Sequence, residues 1–177
     1  MVCLLMQETA TMKDRREDHR KRNCAFCNMV DNENEIKTRK LKLDDRFEKT
    51  CFAILAREPN VVGHSLIIST KPFDDITDHI GTCDDEKKKI FEAVLELAEK
   101  IKKKLGAEKV YVKSVCEHWE MWEASNGQTT EHLHFHLVPR YRGMRTRYMA
   151  GDRLLCRDGL RWEDKDLEKI AKIINDP

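Results

Sequence analysis

No apolar run in this chain approaches the roughly 20 residues of a membrane-spanning helix, which excludes a helical membrane span. Nor is there an excess of charge of one sign: 33 Lys and Arg face 32 Asp and Glu, for a net charge of +1. Overall charge therefore selects neither nucleic acid nor a membrane surface as partner, and any electrostatic steering must be local. A disulfide framework is missing too. The seven cysteines (Cys3, Cys24, Cys27, Cys51, Cys83, Cys116, Cys156) are odd in number and follow no regular spacing, so reduced thiols are expected. The apolar start "MVCLLM" runs within eight residues into "KDRREDHRKR", not into a cleavage-like site, and a cytoplasmic location is expected. There are no internal repeats and no low-complexity tracts.

What is present suits one charge-rich globular domain: 177 residues, 40% apolar and 37% charged. Residues 1–23 are expected to be a charged extension, either a frayed tail or a solvated helix. The runs "CFAILA" and "HSLIIS" lean to β structure, and "REPNVVG" between them carries Pro59 and Gly63 as turn signals. This predicts an antiparallel pair of strands. From Thr82 to Gly106, Ile90, Phe91, Val94, Leu97, Ala98, Ile101 and Leu105 recur at threes and fours, which predicts a helix with Thr82 or Asp84 as cap and Gly106 as stop. "KVYVKSVC", 109–116, alternates as a strand with Val110, Val112 and Val115 as its buried set. A last helix is expected from about Glu163 to Ile174, with Leu167, Ile170, Ala171 and Ile174 inward. The sum is an α+β domain with an antiparallel sheet.

The chemistry concentrates in "GQTTEHLHFHLVPRY", residues 127–141, where His132, His134 and His136 alternate with Leu133, Phe135 and Leu137. On a strand, period two sends the imidazoles to one face and the apolar residues to the other. One use for such imidazoles is a metal ion. His132 and His136 stand about 13 Å apart on a strand, however, so one ion cannot take all three. The other use is covalent catalysis, with a central imidazole as nucleophile, one neighbour orienting it and the other bonding to an anionic substrate. Ser125, Asn126, Gly127, Gln128 and Thr129, just upstream, provide amide and hydroxyl groups and a glycine that permits close backbone approach. These suit phosphate oxygens.

"HLHFHLV" resembles the signature of the histidine triad (HIT) superfamily. The flanking "GQT" and "PR" resemble its fragile-histidine-triad and diadenosine polyphosphate hydrolase branch, and "FAILAREPNVVGHSLIISTKPF" extends the likeness over about 45–140. The resemblance implies a HIT-like fold: a five-stranded antiparallel half-barrel sheet with one long helix and a C-terminal helix. The triad domain would span 24–141, followed by a basic extension over 142–177, and the usual assembly is a homodimer. It also implies a nucleotidyl hydrolase or transferase acting on nucleotide substrates through a nucleotidyl-histidine, with no cofactor required for catalysis. His134 would attack the α-phosphorus, His136 would bond to phosphate oxygens, and His132 and His64 would complete the cluster. Gln128 and Thr129, with Gly127 and Asn126, would hold phosphate, and Leu66 would lie in the purine pocket.

The chain departs from the family in places. Where the family commonly has Asn or Asp for the ribose hydroxyls, eight residues before His64, stands Ala56. "CAFC", Cys24 to Cys27, has the spacing of a zinc half-site. The family completes it with the first triad histidine and a histidine after the "LIIS" strand, yet Lys71 and Pro72 occupy the latter place. The expected structural zinc ligands are then Cys24, Cys27 and His132 with His79, Asp74 or Asp75; the alternative is a pair of reduced thiols at the core edge. Trp119 and Trp122 either stack over a base or pack into the core, and His118 is incidental. Between Arg140 and Arg161 seven arginines face two aspartates, either a site for polyphosphate or a nucleic-acid 5′ end or a solvated face. Three functions fit: hydrolysis, nucleotidyl transfer to an acceptor other than water, and noncatalytic nucleotide binding.

Overall fold

The computed structural model describes residues 14–18, 21, 23–57, 59, 61–74, 76, 84–114, 132–143 and 163–177. After a helical turn at 14–18, helix α1 (Ala25–Asp31) starts from Cys24, whose thiol accepts from the Cys27 amide at 3.5 Å. A 3-10 stretch, Glu33–Arg39, leads into the short strand β1 (Lys40–Leu41), and a second one, Asp45–Phe47, precedes β2 (Cys51–Leu55). Then come β3 (Ser65–Ser69), the long helix α2 (Asp84–Leu105), β4 (Lys109–Ser114), β5 (His134–Arg140) and helix α3 (Asp164–Asn175). The strands form one antiparallel sheet in the order β1-β2-β3-β5-β4. This is the α+β, five-stranded antiparallel HIT-like fold that was expected. No helix among the described residues is long and apolar enough to cross a membrane.

The strands expected between Phe47 and Ser69 pair from Cys51↔Ser69 to Leu55↔Ser65. Gly63, at φ +79°, turns the chain back, and a Cβ there would collide with Leu105 Cδ1. The left-handed backbone favours glycine at this position, and any side chain there would also have to displace the end of Leu105. The helix α2 stops where expected, with Gly106 at φ +65°. Its Ile90, Val94, Leu97 and Ile101 are buried, but Phe91 is 43% exposed although its ring lies 5.4 Å from that of Phe135. In α3, Leu167, Ile170, Ala171 and Ile174 all point inward, as their spacing predicts.

The expected buried set of β4 needs correction. Val110 packs on the core, but Val112 is 47% exposed, and Val115 lies outside the described residues. Here β4 is an edge strand, and the core reaches Ala107 and Val110 without extending to Val112. The sheet carries apolar clusters on both faces. Leu55, Ile67, Leu97, Leu133, Phe135, Leu137 and Leu167 belong to the larger one, between sheet and α2–α3. Cys24, Phe26, Cys27, Ile36, Ile54, Ala56, Leu66 and Ile68 form the smaller one, under α1. Residues 14–18 are fastened nearby, Arg16 Nη2 donating to the Thr70 carbonyl at 2.9 Å and Arg15 pairing with Asp74 at 3.6 Å.

Candidate active site

The alternation read from the sequence holds on β5. Leu133, Phe135 and Leu137 enter the larger core, while His134 and His136 sit opposite Ile68 and Leu66 of β3. The nitrogen of His134 that faces the backbone is Nδ1, 2.7 Å from the His132 carbonyl oxygen. A carbonyl only accepts, so Nδ1 carries the proton and Nε2 keeps a lone pair. His136 Nδ1 and His64 Nε2 are 2.9 Å apart and share one proton. His64 is held just ahead of β3, its carbonyl accepting from the Ala56 amide at 2.9 Å. Ring centroids of His134 and His136 are 5.0 Å apart, and those of His64 and His136 5.1 Å. The structure thus brings His64, His134 and His136 together.

Burial sets the protonation of this cluster, because a low-dielectric surrounding disfavours imidazolium. It lowers the His64 pKa from 6.5 to about 4. Burial, then the charges of His134, His64 and Lys113, lower that of His136 to about 3. His134 is lowered as well, chiefly by burial, with the His132 carbonyl opposing. At neutral pH the cluster is therefore uncharged: nucleophilic, but with no positive charge to offer an anion.

His132 has a different task. Its Nε2 donates to the Ser69 carbonyl at 2.9 Å, leaving the Nδ1 lone pair 3.5 Å from Cys24 Sγ and 3.5 Å from Cys27 Sγ. These three buried donor atoms lie within 4.8 Å of one another. Two thiols and a neutral imidazole whose far N–H is fixed by a carbonyl form a donor set that fits structural zinc. The hydrogen bond from Cys24, followed by burial, holds the Cys27 thiol far above its ordinary pKa; a bound cation reverses that preference by stabilising thiolate. Of the expected further ligands, His79 and Asp75 lie outside the described residues. Asp74 is not in the group; it pairs with Arg15. Lys71, in the place where the family has a histidine, is clamped by Glu86 at 2.6 and 2.7 Å.

Two contributors escaped the sequence. Phe26, between the paired cysteines, lays its ring 4.8 Å from that of His134 and 5.8 Å from that of His132. Its position inside "CAFC" was the available signal, and that motif speaks only of metal. Ser114 Oγ donates to the His134 carbonyl at 3.1 Å, steadying β5 from β4. Leu66 lies on the histidine face, buried beside Ile54, Ala56 and Phe26. Asn126, Gly127, Gln128, Thr129 and Ser125 lie outside the described residues, as do His118, Trp119, Trp122 and the arginines from Arg145 to Arg161. A cavity of about 670 Å³ opens at the β1–β2 edge, lined by Met29, Ile36, Leu41 and Phe52 among others. No histidine lines it, so no part of the chemistry is assigned to it.

Fold and site together define a HIT-type protein: an open antiparallel sheet with a histidine cluster on the face opposite its long helix. The HIT domain model matches residues 35–143, and the chain belongs to this family, whose members are in general nucleotide-binding hydrolases and transferases. A HIT-like protein from Bartonella henselae, involved in cell-cycle regulation, is 26% identical, with 86% of this chain and 95% of that one covered at a TM-score of 0.61. A zinc-bound histidine triad protein from Mycobacterium smegmatis is 22% identical, covering 86% and 89% at 0.59. The diadenosine triphosphate hydrolase of Plasmodium falciparum is 16% identical, covering 77% and 82% at 0.50. None of the curated proteins is similar enough to count as a match.

Proposed function

We propose that the protein is a nucleotidyl hydrolase of the fragile-histidine-triad type, cleaving the α-phosphate linkage of dinucleoside polyphosphates. The observation that carries this reading is the fixed tautomer of His134, whose Nδ1–H is bonded to the His132 carbonyl while Nε2 remains available. In the first step Nε2 attacks the α-phosphorus, the P–N bond forms and the bond to the leaving oxygen breaks. The positive charge then carried by the ring is stabilised by the carbonyl at Nδ1. His136, relayed to His64, bonds to the phosphate oxygens and the bridging atom. In the second step water attacks phosphorus, the P–N bond breaks, and Nε2 regains its lone pair as the water proton leaves. Gln128, Thr129, Gly127 and Asn126 hold phosphate oxygens, and Leu66 faces the purine. Catalysis is by positioning and charge stabilisation, with no metal in the chemical steps. Zinc on Cys24, Cys27 and His132, with His79 as fourth ligand, is structural.

The reading places the triad domain at 24–141 between a charged extension (1–23) and a basic one (142–177), in a cytoplasmic homodimer. The exposed Phe91, Leu95 and Val112 beside the edge strand β4 support a second copy docking there. One observation favours a noncatalytic nucleotide-binding module: Ala56, where the family reads ribose, is buried among apolar side chains. Intact-mass analysis after mixing with diadenosine triphosphate decides between the readings. The wild type gains one nucleotidyl group. His134→Ala gains none and loses at least about a thousandfold in turnover, and His136→Ala accumulates the adduct because its hydrolysis stalls. Full turnover by His134→Ala, or nucleotide binding without turnover in the wild type, overturns the hydrolase reading.

A further inference from the structure

We propose that Lys113 is a further catalytic residue of this site, a cation on the outer strand that holds the departing polyphosphate and makes the protein favour anionic leaving groups over amines. The proposal rests on the nucleotidyl-His134 reading above. In the β4–β5 ladder Lys113 is the direct partner of His136. Directly paired residues of an antiparallel ladder project their side chains from the same face, with Cβ atoms about 5 Å apart. Lys113 therefore stands on the histidine face, and its side chain is half-buried there. Its charge is felt by His136, whose protonation it opposes. Arg140 is on the same face but four residues further along β5, bonded to the Tyr111 hydroxyl at 3.0 Å.

The two flanks of the histidines differ in chemistry. Toward β3 and β2 lie Leu66, Ile54 and Phe26, buried apolar side chains that carry no charge. Toward β4 lies Lys113. A nucleotide placed with its base on the first flank directs the rest of its phosphate chain to the second. The need for a cation there is physical: burial keeps His64 and His136 neutral near pH 7, so they cannot balance the charge of a polyphosphate. As the bond from the α-phosphorus to the bridging oxygen breaks, its electron pair stays on that oxygen. The Lys113 ammonium stabilises the nucleoside polyphosphate anion that departs. An amine leaving group develops no such charge and instead requires a proton.

The test uses the full chain and its Lys113→Met and Lys113→Arg variants. Rapid-quench measurement follows nucleotidyl-histidine formation from diadenosine triphosphate and from an adenosine 5′-phosphoramidate of a simple amine. Lys113→Met is expected to lose about 100-fold in kcat/KM on the triphosphate and far less on the phosphoramidate, with Lys113→Arg recovering most of the loss. Equal losses on both substrates, or none on the triphosphate, overturn the proposal. Calorimetry with adenosine diphosphate and adenosine is independent of turnover. Lys113→Met should weaken the diphosphate about tenfold and leave adenosine unchanged, which also reports an intact fold; unchanged diphosphate affinity overturns the contact. If the wild type forms no adduct but this calorimetric difference holds, the nucleotidyl reading fails and the phosphate contact of Lys113 stands.

Discussion

Two histidines of the cluster, His64 and His136, tie stability to pH. Their folded values of about 4 and about 3 lie below the ordinary 6.5, so between those limits the unfolded chain binds more protons than the folded one. The neutral pair then contributes stability that is fully present above about pH 6.5 and is lost progressively as pH falls toward the folded values. Urea denaturation at pH 7 and pH 5 should give a lower midpoint at pH 5, and His64→Leu should flatten that difference; an identical midpoint at both pH values contradicts the burial argument. The proposed zinc makes a separate prediction. Protein purified without chelator should carry about one equivalent of zinc, and Cys27→Ser should lose it together with part of the thermal stability. Less than about a tenth of an equivalent in the wild type removes the zinc. At this scale the sequence was informative wherever residue type and spacing sufficed, as with the alternating histidines and the cysteine pair, whereas His64 entered only through the family resemblance. The sequence was silent on tautomers, because those depend on carbonyls such as His132 O and Ser69 O. Strand periodicity put the three imidazoles on one face, and their partners separate them: two thiols face His132 Nδ1, and the His132 carbonyl fixes Nδ1 of His134.

Elements divide by the length of their signal. Helices α2 and α3 repeat their apolar residues over several turns, and their C-terminal ends and most of their inner faces were legible, Phe91 being the exception. The strand β1 has two residues and the 3-10 stretches no periodic face, so neither had a readable pattern. Val112 had the right pattern and the wrong neighbourhood, since alternation predicts a face and not whether anything covers it. Two glycines separate backbone from packing. Gly106 is left-handed with nothing within 4 Å of an added Cβ, whereas Gly63 is left-handed and also abuts Leu105. Gly106→Ala should cost about 1 kcal/mol, and Gly63→Ala clearly more, about 2 to 3 kcal/mol, because the turn before His64 must move as well. Equilibrium denaturation of the two variants checks the order, and equal costs contradict it.

For the molecule as a whole, the exposed Phe91, Leu95 and Val112 carry the expectation of a second copy. Leu95→Glu is expected to halve the mass seen by light scattering while leaving the helical circular dichroism unchanged, and a wild type that is already monomeric at micromolar concentration rules out the dimer. Periodicity and motif spacing were enough to determine an α+β domain, its two long helices, its central strands and the histidine alternation of β5, because each is written within a short stretch of chain. Other features join residues far apart in sequence. Cys24 and Cys27 meet His132, Phe26 reaches His134, Lys113 stands opposite His136, and Ala56 closes into an apolar cluster. Such contacts depend on strand order and on which element covers which face. Only the folded sheet decided that His132 would face two thiols while His134 and His136 gather with His64.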